Sequence, residues 1–159
     1  MKLPVLLTLA AGLTASAATA QGVERKVGSP TAIISSVVTV PADYKTIYLS
    51  GSTASPVDPT KPEEFGDTKT QTLSILTKMK AALAEMGLTM GDVVKVNVFL
   101  VGVPEKGGKM DAPAMNEVFK TFFGTVEQPN RPARSTVQVA ALGRPTTLVE
   151  IEAIAVKKP

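Results

Sequence analysis

Three residue types are missing from this 159-residue chain: it has no cysteine, no histidine and no tryptophan. Without Cys and His, thiol nucleophiles, serine–histidine–aspartate triads, histidine metal centres and cysteine zinc sites are all excluded. Any chemistry must therefore run on Arg, Lys, Asp, Glu, Tyr, Ser, Thr, backbone groups and water. Disulfides are excluded too, so in an oxidising compartment stability has to come from packing or subunit association. Aromatic residues are scarce, with two Tyr and five Phe, which argues against platforms for stacking bases. Charge of one sign is also lacking. The formal net charge is +3, with Lys and Glu interspersed, and leaves no electrostatic footprint for nucleic acid.

Long hydrophobic runs are confined to the N-terminus, and even that run is too short to span a bilayer. Residues 1–20 carry Lys2, an apolar run through Val5–Leu13 and small residues ending Ala18-Thr19-Ala20. This reads as a secretory signal peptide with an A-x-A site, cleaved after Ala20. It predicts a periplasmic or secreted protein with no membrane association after cleavage. Lys2 is the only charged residue removed, so the charge falls from +3 to +2. What remains suffices for one domain with a real core.

Residues 21–31 read as an N-terminal arm, and 32–159 as a single domain. Ala32–Val40 and Thr46–Ser50 are β-rich and separated by Pro41-Ala42-Asp43, which predicts an N-terminal hairpin ending at Gly51. Residues 52–66 carry Pro56, Pro59 and Pro62 and form a surface loop. The period then changes: Leu73, Leu76, Met79, Leu83 and Met86 recur at helical spacing, with Asp67 or Thr68 as cap and Gly87 as stop. Residues 93–101 form a third strand, and 102–109 a flexible loop. Asp111 and Pro113 open a second helix, whose Met115, Val118, Phe119, Phe122 and Phe123 face a sheet. The predicted order is β-β-α-β-α-β-β, an α+β domain with both helices on one face of a mixed sheet.

The last two β-rich runs, Arg134–Val139 and Leu148–Ala155, flank a turn with Gly143 and Pro145 and read as an antiparallel hairpin. Period two puts Ser135, Val137 and Val139 with Val149, Ile151 and Ala153 on a core face. Arg134, Thr136 and Gln138 then share the other face with Glu150 and Glu152. Symmetry about Leu142 sets Arg134 opposite Glu150. An arginine fork matches a carboxylate and a nearby glutamate can hold a water, so this face reads as either a small-acid site or a solvated ion pair. The uncovered sheet face also suits a subunit interface.

These runs, P-A-R-S-T-V-Q-V-A and L-V-E-I-E-A-I-A, together with Ser50-Gly51, V-V-K-V-N-V-F-L and A-M-N-E-V-F-K-T-F-F, resemble the reactive-intermediate deaminase (Rid, YjgF-like) family over about residues 32–156. The resemblance implies a chorismate-mutase-like fold, a homotrimer with clefts between subunits, and hydrolysis of enamines and imines of 2-amino acids without cofactor or metal. It assigns Arg134 to the substrate carboxylate and Glu150 to the attacking water, with Ser50, Gly51, Asn116 and Thr136 as substrate-binding residues. Thr136 stands where many members have cysteine, and Ser36 where deaminases commonly carry a tyrosine. Residues 101–112 are longer than usual for the family. The implied partners are a small carboxylate-bearing ligand and further copies of the chain; the alternative is a non-catalytic trimeric carboxylate-binding or interaction module.

Overall fold

The computed structural model describes residues 22–159, so the predicted signal peptide lies outside the described residues. The elements are β1 (Glu24–Lys26), β2 (Val37–Thr39), β3 (Lys45–Thr53), α1 (Thr68–Glu85), β4 (Val93–Val103), β5 (Lys109–Met110), α2 (Ala112–Phe122), β6 (Ala133–Val139) and β7 (Val149–Lys157). The predicted strands and helices are present, except that the run Ala32–Val40 forms a strand only over Val37–Thr39, and β1 and β5 are additional. Both helices cover one face of a mixed sheet, as the pattern requires.

The pairing of the strands departs from the sequence reading at both ends of the chain. β6 and β7 do not form a hairpin: β4 lies between them, parallel to β6 and antiparallel to β7. Nor do β2 and β3 pair with each other. β2 pairs with β1, while β3 lies antiparallel to β7 at the sheet edge. The main sheet runs β3-β7-β4-β6, and β5 returns antiparallel onto the end of β4. Local turn signals favour hairpins, but two helical crossovers, β3-α1-β4 and β4-α2-β6, each join parallel strands and so dictate interleaving.

Each helix starts at the residue its side chain can cap. The Asp67 carboxylate accepts the Thr70 N–H at 2.8 Å, and Asp111 accepts the Ala114 N–H at 3.2 Å. α1 ends in a left-handed Gly87 (φ 68°), with its N–H donating to Ala84 and the Leu88 N–H donating back to Leu83. The core between layers holds Ile75, Leu76 and Leu83 of α1, Met115 and Phe119 of α2, and Val96, Val98, Leu100, Val149 and Ile151 of the sheet.

The buried face of α1 is rotated from the predicted one. Leu73 is 51% exposed and Met86 38%, whereas Gln71, Thr72 and Ile75 are buried. Gln71 explains the rotation: its amide donates to Gly66 O at 3.0 Å and Thr146 O at 2.9 Å, and its oxygen accepts the Leu148 N–H at 2.8 Å. This single side chain satisfies backbone groups from two loops beside the sheet end, a job no apolar residue performs. Residues 102–109 are likewise an ordered hairpin rather than a flexible loop. There Gln138 accepts the Met110 N–H and donates to Gly108 O.

Replacing Gln71 with Leu leaves these backbone partners buried and unpaired, at about 1–3 kcal/mol for each group that stays dry. Gln71→Leu is expected to lower the urea-unfolding free energy by about 2–4 kcal/mol, while Leu73→Gln shifts it by under about 0.5 kcal/mol. Equal losses for the two variants would contradict the rotated face.

Candidate active site in two halves

Because β4 separates β6 from β7, register decides which side chains share a face. Arg134 pairs with Val96 and Thr136 with Val98, and these β4 residues pair in turn with Ala153 and Ile151. Arg134, Thr136 and Gln138 therefore point to the helix-covered face. Glu150 lies in the other row, paired with Phe99, which is paired with Val137. Ser135 and Val137 are exposed on that outer face, Val137 at 46%, which reverses their predicted place in the core.

The expected juxtaposition of Arg134 and Glu150 within one chain is thus overturned. The two residues sit on opposite faces, two strand spacings (about 10 Å) apart sideways and three residues (about 10 Å) apart along the strands. Val149, Ile151 and Ala153 do face the core as expected.

On the helix side, Arg134 is half-buried against α2. Its guanidinium donates to Asn116 Oδ1 at 2.8 Å, lies 4.4 Å from the centre of the Phe119 ring and approaches Met115 Sδ at 3.6 Å. Asn116 and Arg134, both singled out by the resemblance, are brought together. No carboxylate pairs with Arg134 among the described residues, whose ion pairs are Lys61–Glu64, Lys69–Glu117 and Lys106–Asp111. Burial pushes the guanidinium below its ordinary value, yet an arginine keeps its proton. Two residues along the same strand face, the Thr136 hydroxyl is buried and has no hydrogen-bond partner. This is a cation without an anion, beside an unsatisfied hydroxyl.

On the outer side, the register of β3 against β7 shifts between Leu49 and Ser52, so Ser50 and Gly51 form an irregularity in the ladder. The Glu150 carboxylate fills the space over Gly51, where any Cβ would overlap it. Ser50, Gly51 and Glu150 are therefore one cluster. The Glu150 carboxylate makes no hydrogen bond or ion pair among the described residues, whereas that of Glu152 accepts from Asn97 at 2.8 Å. Glu150 is the unspent carboxylate of the pair. Further along the same face, a cavity of about 410 Å³ is lined by Tyr48, Ser50, Lys95, Asn97, Glu152 and Ile154; Glu152, not Glu150, is the carboxylate on its wall. Tyr48 is 77% exposed there.

Ser36 belongs to neither cluster. Its hydroxyl donates to Lys26 O at 2.9 Å and holds β1 to β2. Phe119 and Met115, expected only in the core, also touch Arg134; the sequence signal for Phe119 is its spacing of three residues from Asn116. Among the described residues no group of three or more His, Cys, Asp or Glu side chains is arranged to hold a metal.

Comparison with known proteins shows what the chain as a whole is similar to. A family model described as Endoribonuclease L-PSP matches residues 29–157. A 2-iminobutanoate/2-iminopropanoate deaminase of Dermatophagoides farinae is 40% identical over 111 residues, covering 70% of this chain and 77% of the relative. Among solved structures, a Rid-family protein, YyfB of Yersinia pestis, superposes with a TM-score of 0.62 at 27% identity, covering 79% of this chain and 87% of that one. E. coli TdcF with bound serine gives 0.56 at 29% identity, covering 85% of this chain and 100% of that one.

A methyl group at position 51 must displace the Glu150 carboxylate or the β3 backbone. Gly51→Ala is expected to move the Glu150 carboxylate in a crystal structure while costing under about 1 kcal/mol in denaturant unfolding, because the atoms in the way belong to one flexible side chain. Gly28→Ala, with nothing within 4 Å of the added Cβ, serves as the neutral control. An undisturbed Glu150 in the Gly51→Ala structure would show that the glycine is not required for its position.

Proposed function

The chain belongs to the Rid (YjgF-like) family, whose matching model is described as Endoribonuclease L-PSP, and from that premise we propose that it hydrolyses small enamines and imines of 2-amino acids to 2-oxo acids and ammonia. The observation that carries this reading is Arg134: a half-buried guanidinium with no carboxylate partner. Burying an unpaired charge is costly, so a site that keeps one is arranged for an anion from outside. The relatives supply its chemistry, one by the name 2-iminobutanoate/2-iminopropanoate deaminase and one by a bound amino acid, serine.

The reaction needs a carboxylate grip and a base for water. Arg134 takes the substrate carboxylate in a bidentate fork and orients the C=N carbon. Glu150 removes a proton from water as its oxygen bonds to that carbon, and the C=N π electrons move to nitrogen. From the protonated imine this gives a neutral carbinolamine, which takes the proton from Glu150 on nitrogen; the Glu150 carboxylate then accepts the hydroxyl proton as the C–N bond breaks, the carbonyl forms and ammonia leaves. Water is consumed and no redox partner is needed. Ser50 and Gly51 offer polar backbone beside Glu150, and the unpaired Thr136 hydroxyl a further contact beside Arg134.

Arg134 and Glu150 face opposite ways within one chain, which supports an assembly in which the helix-side half of one copy meets the outer-face half of the next. We read it as a homotrimer with its clefts between subunits; the exposed Tyr48 and Val137 on the outer face favour such a contact. The signal-like residues 1–20 support action in the periplasm or outside the cell. RNA cleavage, which the family description names, is disfavoured by the near-neutral charge. A second reading, a carboxylate-binding trimer without turnover, is favoured by one observation. Ser36, at the position of the usual tyrosine, is engaged with Lys26 O.

The test generates 2-iminobutanoate in situ with an amino-acid oxidase and follows its decay. Wild type is expected to accelerate the decay, and Arg134→Ala and Glu150→Gln to lose at least about 100-fold, as for removal of a positioned acid–base or orienting group. Co-expression of the two variants should restore about a quarter of wild-type activity, because random assembly gives that fraction of interfaces an intact Arg134 and an intact Glu150. No recovery would contradict shared sites, and binding of 2-oxobutanoate without turnover would favour the second reading.

A further inference from the structure

We propose that Phe119 is a positioning residue for Arg134: its ring holds the guanidinium in place of a carboxylate, and so keeps the cation's charge available to an incoming acid. This rests on the carboxylate-gripping role of Arg134 argued above.

A guanidinium drawn from water ordinarily settles against an acid, which cancels the charge it would offer a ligand. The partners of Arg134 are all neutral: the Phe119 ring at 4.4 Å, the Asn116 amide oxygen at 2.8 Å and the Met115 thioether at 3.6 Å. Met115 and Phe119 are i and i+4 on α2 and share a face, while Asn116, about 100° round the helix, reaches the guanidinium from the flank. The ring itself is fixed. Phe119 is fully buried, and its centroid lies 4.6 Å from that of Phe123 in a tilted pair. A ring face attracts a cation through its quadrupole without neutralising it, and sets the plane of the fork. The Asn116 contact then sets its rotation in that plane. The result is a directed positive charge with hydrogen-bonding edges left for a carboxylate.

The decisive comparison is between two fully buried core residues, Phe119 against Arg134 and Leu83 on α1. Binding of 2-oxobutanoate to the assembled protein is measured by titration calorimetry for wild type, Phe119→Leu, Phe119→Tyr and Leu83→Ala, with thermal unfolding recorded for each. Phe119→Leu is expected to weaken binding about tenfold, the size of a partly desolvated cation–π contact. Phe119→Tyr should keep wild-type affinity, and so should Leu83→Ala despite at least as large a loss of thermal stability.

Unchanged affinity in Phe119→Leu, or an equal loss in Leu83→Ala, would overturn the proposal, as would a wild type that binds no 2-oxobutanoate. A wild type that binds the acid in a Phe119-dependent way but leaves 2-iminobutanoate intact would sink the hydrolytic reading and uphold this one. A wild type that hydrolyses the imine, with Phe119→Leu binding normally, would do the reverse.

Discussion

The position of β4, hydrogen-bonded to β6 on one side and β7 on the other, governs everything else in this molecule. A strand parallel to one neighbour and antiparallel to the other arises because the chain crosses back by a helix before laying down β6, then returns through the loop 140–148 past β4 to β7. Since paired residues share a face, the register fixes which side chains look toward the helices and which look away. Val96, Val98 and Leu100 form the middle of the core, and they carry Arg134, Thr136 and Gln138 with them. Phe99 and Asn97 point outward with Glu150 and Glu152. Had β6 and β7 been direct neighbours, the ion pair they suggest would have formed and consumed both charges.

Two further devices keep the two halves in shape. Gln71, a buried polar residue in the middle of an otherwise ordinary interface, ties Gly66, Thr146 and Leu148 together, so the segment leading into β7 is held from α1. Gly51 makes room for a carboxylate that any side chain would displace. Neither contributes chemistry. Both fix where Glu150 stands, one by controlling the start of its strand and the other by leaving space above β3.

Much of this was legible in the sequence, and the failures share one cause. Helix boundaries were readable because caps and stops are local: Asp67, Gly87, Asp111 and Pro113 each act within about one turn. Strand positions were readable from β-rich runs, and the family signature named Arg134, Glu150, Asn116, Ser50 and Gly51. Strand partners were not readable, because a turn containing Gly143 and Pro145 looks the same whether or not a third strand slips between the two it joins. The error in pairing then reversed the face of Ser135 and Val137. The face of α1 was misjudged for a related reason: hydrophobicity placed Leu73 inside, and only the distant backbone groups near Thr146 and Leu148 make burying Gln71 favourable.

The separation of Arg134 from Glu150 has a physical logic of its own under the proposed assembly. Within one chain, a guanidinium and a carboxylate in reach of each other form a bidentate pair, and a substrate must break it before either group can act. Here β4 and the thickness of the sheet hold them apart, so each chain keeps a cation resting on a ring and a carboxylate resting over a glycine. In the proposed assembly they would meet only across an interface, with geometry set by two sheets rather than by two flexible side chains. A substrate's own carboxylate would then neutralise Arg134 and leave Glu150 free for water. Such a site needs no histidine, cysteine or metal, because the position of the two charges does the work that a tuned acid or a bound ion does elsewhere.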